Sequence, residues 1–311
     1  MVARPFRSGE PRRRGGLPAA VAVALVLTLC TTAPGAGAGA RAAAGAPAVG
    51  LRVLHLVDRT RSIRLRSGHG EPRVLLTYVR SPTAGGPYPL VVFGHGFAET
   101  PAPYAALLQA WARAGYVVAA PLFPLENADA PGGPNEADLV NQPADMRFVI
   151  ARLLAASASG AGPLRGLIDP TRIAVAGHSD GGETALFTAY DPARPDARIR
   201  AAVLLSGART PLRGFTFARP TAALLATQGT ADTVNPPAVT DAFFRITPRP
   251  KFLLDLRGAG HLPPYTGEEP QLSVVEHTTI AFLDRYLKHG SLRRLLASGN
   301  VPGIATLVSE P

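Results

Sequence analysis

From about residue 50 onward, short apolar runs bounded by Gly or Pro alternate with longer segments whose apolar positions recur every three to four residues. The short runs are Val74–Val79, Leu90–Phe93, Val117–Ala120, Ile173–Ala176, Ala201–Leu205, Ala222–Thr227 and Phe252–Leu256. Continuous apolar runs of this length read as strands buried on both faces. The longer segments, Tyr104–Ala114, Ala144–Ala156, Gly181–Tyr190, Ala238–Ile246 and Ser273–Leu287, read as helices. In Ala144–Ala156 one stripe carries Met146, Val149, Ile150, Leu153 and Leu154, and Gly115 is placed to cap the helix before it. Such alternation predicts an α/β fold with a mostly parallel central sheet covered by helices on both faces.

No internal repeat or linker divides the chain after its amino-terminal segment. The economical reading is a flexible arm over 41–50, one domain over 51–290 and a tail over 291–311. Two connections stand out. Pro121–Pro143 is long and rich in Pro, Gly and Asn, as expected of a loop that rims a ligand site. Ser206–Pro220 is too short to hold a helical cap domain.

Composition narrows the classes. With 46% hydrophobic and 17% charged residues, the chain can bury a core, which excludes wholesale disorder. The net charge of +10 is carried almost wholly by arginine, since Lys251 and Lys288 are the two lysines. These arginines are scattered, and no helix-turn-helix, finger or RNP pattern accompanies them, so nucleic acid is not an expected partner. A single cysteine excludes a disulfide framework and a cysteine-based zinc cluster. Arg4, Arg7 and Arg12–Arg14 precede the apolar run Leu17–Cys30, and small residues follow. That order reads as a secretory signal over residues 1–40, cleaved near Ala40 or Ala44. Cys30 leaves with it unless it is a lipidation site, against which Leu29 counts. No later apolar run approaches the roughly 18–20 residues of a membrane span. Nothing resembles a heptad or an exposed repeat, so a monomer is the expectation.

The chemistry sits at strand ends. Ile173–Ala176 leads into Gly177-His178-Ser179-Asp180-Gly181, and a helical pattern follows. G-x-S-x-G between a strand and a helix is the context of a nucleophile elbow, which makes Ser179 the candidate nucleophile. A serine hydroxyl needs a base to take its proton. Of seven histidines, His261 lies on a glycine-containing loop just past the last strand run, which favours it. The base needs a carboxylate to fix its tautomer. Asp232, just past the preceding strand run, is preferred over Asp255, which lies within an apolar run. Val91–Phe97 ends a strand in Gly94-His95-Gly96, a turn that can aim the Phe97 N–H at the serine. Together with the Asp180 N–H, it forms a candidate oxyanion hole, each donor worth roughly 3–4 kcal/mol in the transition state.

In the order Ser179, Asp232, His261, these features resemble the α/β-hydrolase superfamily over about Leu51 to Lys288. With no cap and with Val117–Asn127 (VVAAPLFPLEN), the chain looks like cap-less secreted esterases and lipases of the chlorophyllase-like, platelet-activating-factor acetylhydrolase-like and cutinase-like kinds. The resemblance implies a three-layer fold with a mostly parallel sheet of about eight strands. It also implies ester hydrolysis through an acyl-enzyme, with no metal or organic cofactor. The expected partner is a small-molecule, lipid or polymer ester. Phe97, Tyr104 and Phe123 are candidates to line its pocket. Acyl transfer and peptide cleavage share the same acyl-enzyme, and a catalytically silent binding protein could share the same fold.

Overall fold

A computed structural model describes residues 47–65, 68, 70–207 and 222–311. The expected signal over 1–40, Cys30, and most of the Ser206–Pro220 connection lie outside the described residues.

Among the described residues, nine strands form one sheet: β1 (Val49–Arg64), β2 (Gly70–Pro82), β3 (Tyr88–Gly94), β4 (Val117–Leu122), β5 (Ile168–His178), β6 (Ile199–Leu205), β7 (Ala223–Gly229), β8 (Lys251–Leu256) and β9 (Ala305–Glu310). Their spatial order is β1-β2-β4-β3-β5-β6-β7-β8-β9. Neighbours from β4 through β8 pair in parallel, while β1, β2 and β9 join antiparallel. The helices of the described residues are α1 (Ala105–Arg113), α2 (Gln142–Ala158), α3 (Asp180–Tyr190), α4 (Pro237–Ile246), the single turn α5 (Pro263–Thr266), α6 (Gln271–Leu287) and α7 (Leu292–Gly299). A 3-10 segment, Glu136–Asn141, precedes α2.

Period-two alternation in the buried strands sorts side chains between two cores. Val91 and Phe93 of β3 face Leu107, Trp111, Val275 and Phe282 of α1 and α6. Leu90 and Val92 face Met146, Val149, Leu153 and Leu186 of α2 and α3. The Trp111 indole N–H donates to Thr279 Oγ1 at 2.8 Å, pinning α1 to α6 inside an otherwise apolar layer. The result is the three-layer α/β-hydrolase arrangement, with no large cap among the described residues.

Two expectations change. The residues expected to be a tail, 291–311, are α7 and β9, and β9 pairs with β8 from Lys251–Glu310 to Leu256–Ala305. Ala305 and Leu307 are buried while Thr306 and Val308 are exposed, so this six-residue strand closes the sheet edge through half-apolar alternation. The arm expected over 41–50 ends inside β1, which begins at Val49. These two edge strands bring the total to nine.

Candidate active site

Parallel strands send every chemistry-bearing loop to one edge of the sheet, beyond their carboxyl ends. Ser179 follows β5, Asp232 lies in the turn after β7, and His261 lies in the turn after β8. Ser179 has φ 52° and ψ −121°, a strained backbone for a residue with a side chain. Its surroundings enforce that turn. A Cβ on Gly177 would meet the Gly181 carbonyl, and one on Gly181 would meet the Gly94 carbonyl, both far inside contact distance. The strained turn holds the hydroxyl clear of the backbone at the head of α3.

Asp232 and His261 meet because their loops are laced together. Thr230 N–H donates to Leu256 O at 2.9 Å and Ala231 N–H to Ala259 O at 3.0 Å. His261 Nδ1–H then donates to Asp232 Oδ2 at 2.8 Å, leaving Nε2 as the basic nitrogen. Asp232 also accepts the N–H groups of Val234 and Asn235, both at 2.9 Å, on Oδ1. Burial pushes its carboxyl up, but the bond and charge of His261 and these N–H donors outweigh it, holding the group below the ordinary carboxylate range. Asp255 does not compete for His261. It lies on β8 paired with Gln228, where burial and the charge of Asp241 push its carboxyl up.

A cleft of about 220 Å³ opens over Ser179 and His261. Gly96, Phe97, Glu99, Glu136, Asp180, Val234, Asn235 and Leu262 line it beside them. Both expected oxyanion residues, Phe97 and Asp180, therefore line the same cleft as the nucleophile. The N–H groups flanking Phe97 are already engaged, Gly96 with Tyr104 Oη at 3.4 Å and Ala98 with Glu126 O at 2.9 Å. Asp180 is the first residue of α3, where an N–H has no acceptor within the helix. Among the described residues, no group of three or more His, Cys, Asp or Glu is placed to hold a metal ion.

The chlorophyllase family model matches residues 59–207. Over that stretch the chain is similar to the chlorophyllases. That family consists of ester-bond hydrolases on the α/β-hydrolase fold. No curated protein matches the chain. The chlorophyllase-like segment carries β2 through β6 and Ser179, but stops short of Asp232 and His261, which rest on the geometry above.

Two pocket expectations are corrected. Tyr104 and Phe123 are fully buried behind the cleft instead of lining it. Phe123 packs against the His95 ring at 4.9 Å and donates its N–H to His95 Nε2 at 3.0 Å, while His95 Nδ1–H donates to Gly96 O at 2.9 Å. Burial holds His95 neutral, its pKa lowered to about 4. Tyr104 starts a relay. Its hydroxyl accepts from Gly96 N–H and donates to His178 Nδ1 at 2.8 Å, and His178 Nε2–H donates to the His261 carbonyl at 3.0 Å. Ser206 Oγ–H reaches the same carbonyl at 2.9 Å. Burial, aided by the charge of His261, lowers the His178 pKa to about 3, so the relay is uncharged.

The sequence reading missed Asn235. Its Nδ2 lies 3.4 Å from Ser179 Oγ and 3.0 Å from Ser206 O, and its N–H is held by Asp232. A polar residue three positions beyond the presumed acid was the signal available, and it reads equally well as an ordinary turn asparagine.

Proposed function

We propose that the protein is a serine esterase that cleaves carboxylic esters through Ser179, His261 and Asp232. The observation that carries this reading is the His261 Nδ1–Asp232 Oδ2 hydrogen bond at 2.8 Å, made beside a serine on a strained elbow in one cleft. An ester carbonyl enters with its oxygen towards the N–H groups of Phe97 and Asp180. Ser179 Oγ attacks the carbonyl carbon as its proton passes to His261 Nε2, and Asp232 stabilises the imidazolium. The alcohol leaves with that proton. Water, deprotonated by the same nitrogen, attacks the acyl-enzyme and releases the acid. Donors fixed in place before the reaction need no reorganisation when the oxyanion forms.

The cleft is small and carries acidic side chains at Glu99, Glu136 and Asp180, which supports neutral esters with a compact acyl group over anionic ones. The basic leader and apolar run before residue 40 support export ahead of action. Amino-terminal analysis of the exported product tests that point, with a new terminus near Ala40 or Ala44 expected and an intact leader contradicting it. Hydrolysis of p-nitrophenyl acyl esters from C2 to C16 tests the activity. Turnover with a short-chain optimum supports the reading, and no turnover at any length overturns it.

A further inference from the structure

Ser206 directly follows β6, as Ser179 directly follows the adjacent β5. Both have positive φ, 55° and 52°, a region that residues with side chains rarely adopt. Ser206 is fully buried and each of its polar groups is engaged. Its N–H donates to Thr227 O of β7 at 2.9 Å. Its carbonyl accepts Asn235 Nδ2 at 3.0 Å, from the loop that carries Asp232. Its Oγ lies 2.9 Å from His261 O and 3.1 Å from Tyr265 Oη. The direction of these last bonds follows from counting hydrogens. A hydroxyl has one hydrogen, and a carbonyl only accepts. Ser206 Oγ–H therefore donates to His261 O, Tyr265 Oη–H donates to Ser206 Oγ, and Thr227 Oγ1–H, 3.1 Å away, donates to Tyr265 Oη. The reverse direction would send the Tyr265 hydrogen to Thr227 O at 3.4 Å and leave two oxygens 2.9 Å apart with no hydrogen between them. The three buried hydroxyls form one chain ending on the main chain of the base, each polarising the next.

We propose that Ser206 is a positioning residue for ester hydrolysis: its hydroxyl, oriented by Tyr265 and Thr227, fixes the His261 main chain and so the place of the base beside Ser179 and Asp232. This rests on the serine-esterase reading above. Ahead of His261, Gly258 and Gly260 have open space where a side chain would stand, so packing at these positions does not locate the base. Hydrogen bonds do. Asp232 holds the ring at Nδ1, which leaves the ring free to pivot about that bond unless the backbone is also held. The His261 carbonyl is held twice, by His178 Nε2–H at 3.0 Å from the end of β5 and by Ser206 Oγ–H from the end of β6. Tyr265 lies on α5, in the same loop as His261, so Ser206 grips that loop at two points. Through Asn235 it is also tied to the loop of the acid, and it thereby joins the loops of acid and base.

Ser206→Ala removes the hydroxyl and adds no bulk at a positive-φ position. Acylation and deacylation both pass a proton through His261 Nε2, so kcat falls whichever step limits it. For p-nitrophenyl acetate, kcat should fall about tenfold with KM within about twofold, because a misplaced base weakens the transition state and leaves the ground-state ester contacts intact. A buried serine of purely structural use would lower Tm and leave kcat of the folded enzyme unchanged. Tyr265→Phe, which keeps the ring and removes the orienting hydroxyl, should lower kcat about threefold. The double variant should match Ser206→Ala alone, because Tyr265 acts through Ser206, whereas independent losses would multiply to about thirtyfold. Multiplied losses, or wild-type kcat in Ser206→Ala, overturn the proposal. Should Ser206→Ala fail to fold by circular dichroism, Tyr265→Phe decides: a lowered kcat at unchanged KM supports the proposal and wild-type kcat overturns it. Turnover by the wild type that is lost in Ser179→Ala establishes the esterase reading separately, so an unimpaired Ser206→Ala enzyme sinks this proposal alone, and a wild type without turnover sinks both.

Discussion

Replacing Asp232 with asparagine keeps the shape of the turn and inverts one hydrogen bond. The Asn carbonyl can still accept from Val234 and Asn235, as Oδ1 does now at 2.9 Å. Its amide nitrogen then stands where Oδ2 now accepts from His261 Nδ1 at 2.8 Å and Gln228 Nε2 at 3.2 Å. His261 must present an unprotonated Nδ1 to that amide, so its proton moves to Nε2. A protonated Nε2 cannot take the proton of Ser179. Loss of tautomer control of this kind costs about 10⁴-fold in kcat, equivalent to roughly 5 kcal/mol of transition-state stabilisation. Steady-state hydrolysis of p-nitrophenyl acetate by wild type, Asp232→Asn and Asp255→Asn measures it. Asp255 has no contact with His261, so its asparagine variant should stay within threefold of wild type. An Asp232→Asn enzyme within tenfold of wild type, or an Asp255→Asn enzyme equally impaired, refutes the reasoning.

His178→Phe should lower kcat roughly 10- to 100-fold, because the His261 carbonyl and the Tyr104 hydroxyl lose a buried partner worth about 1–3 kcal/mol each; thermal melting and kinetics read both effects. Buried His178 and His95 refuse protons that the unfolded chain accepts below about pH 6.5, so wild-type stability should fall as pH drops towards 3 to 4, with a shallower slope in His178→Phe by denaturant titration. Asn235→Ala, which frees Ser179 Oγ and the Ser206 carbonyl, should cost about tenfold in kcat/KM, or roughly 1.4 kcal/mol. Glu136→Gln at the cleft edge should raise kcat/KM for an anionic ester by about two- to fourfold relative to a neutral one, an effect that fades at high salt.

The core strands and helices were legible because each is an uninterrupted apolar run or a clean 3.6-residue stripe. Leu90–Phe93 alternates between two buried faces, so both parities are apolar, and the run stands out without any pairing information. The edge strands were not legible for the opposite reason. β1 keeps Leu51, Val53 and Val57 exposed, and β9 has only Ala305 and Leu307 buried, so neither segment looks like core until its neighbour is known. Ser179, Asp232 and His261 could be chosen because each follows a recognisable strand, and parallel strands put their ends together. Tyr104 and Phe123 were placed one layer too far forward: an aromatic near a strand end gives no sign of whether it faces the cleft or the turn behind it.

The central claim is that Ser179 is a nucleophile activated by His261. Its most direct measurement is the intact mass of the protein after exposure to a fluorophosphonate, with peptide mapping of the adduct. The account predicts one adduct per chain, on Ser179, formed slowly or not at all in His261→Ala and absent in Ser179→Ala. An unlabelled wild type, or an adduct that persists in Ser179→Ala, would contradict it.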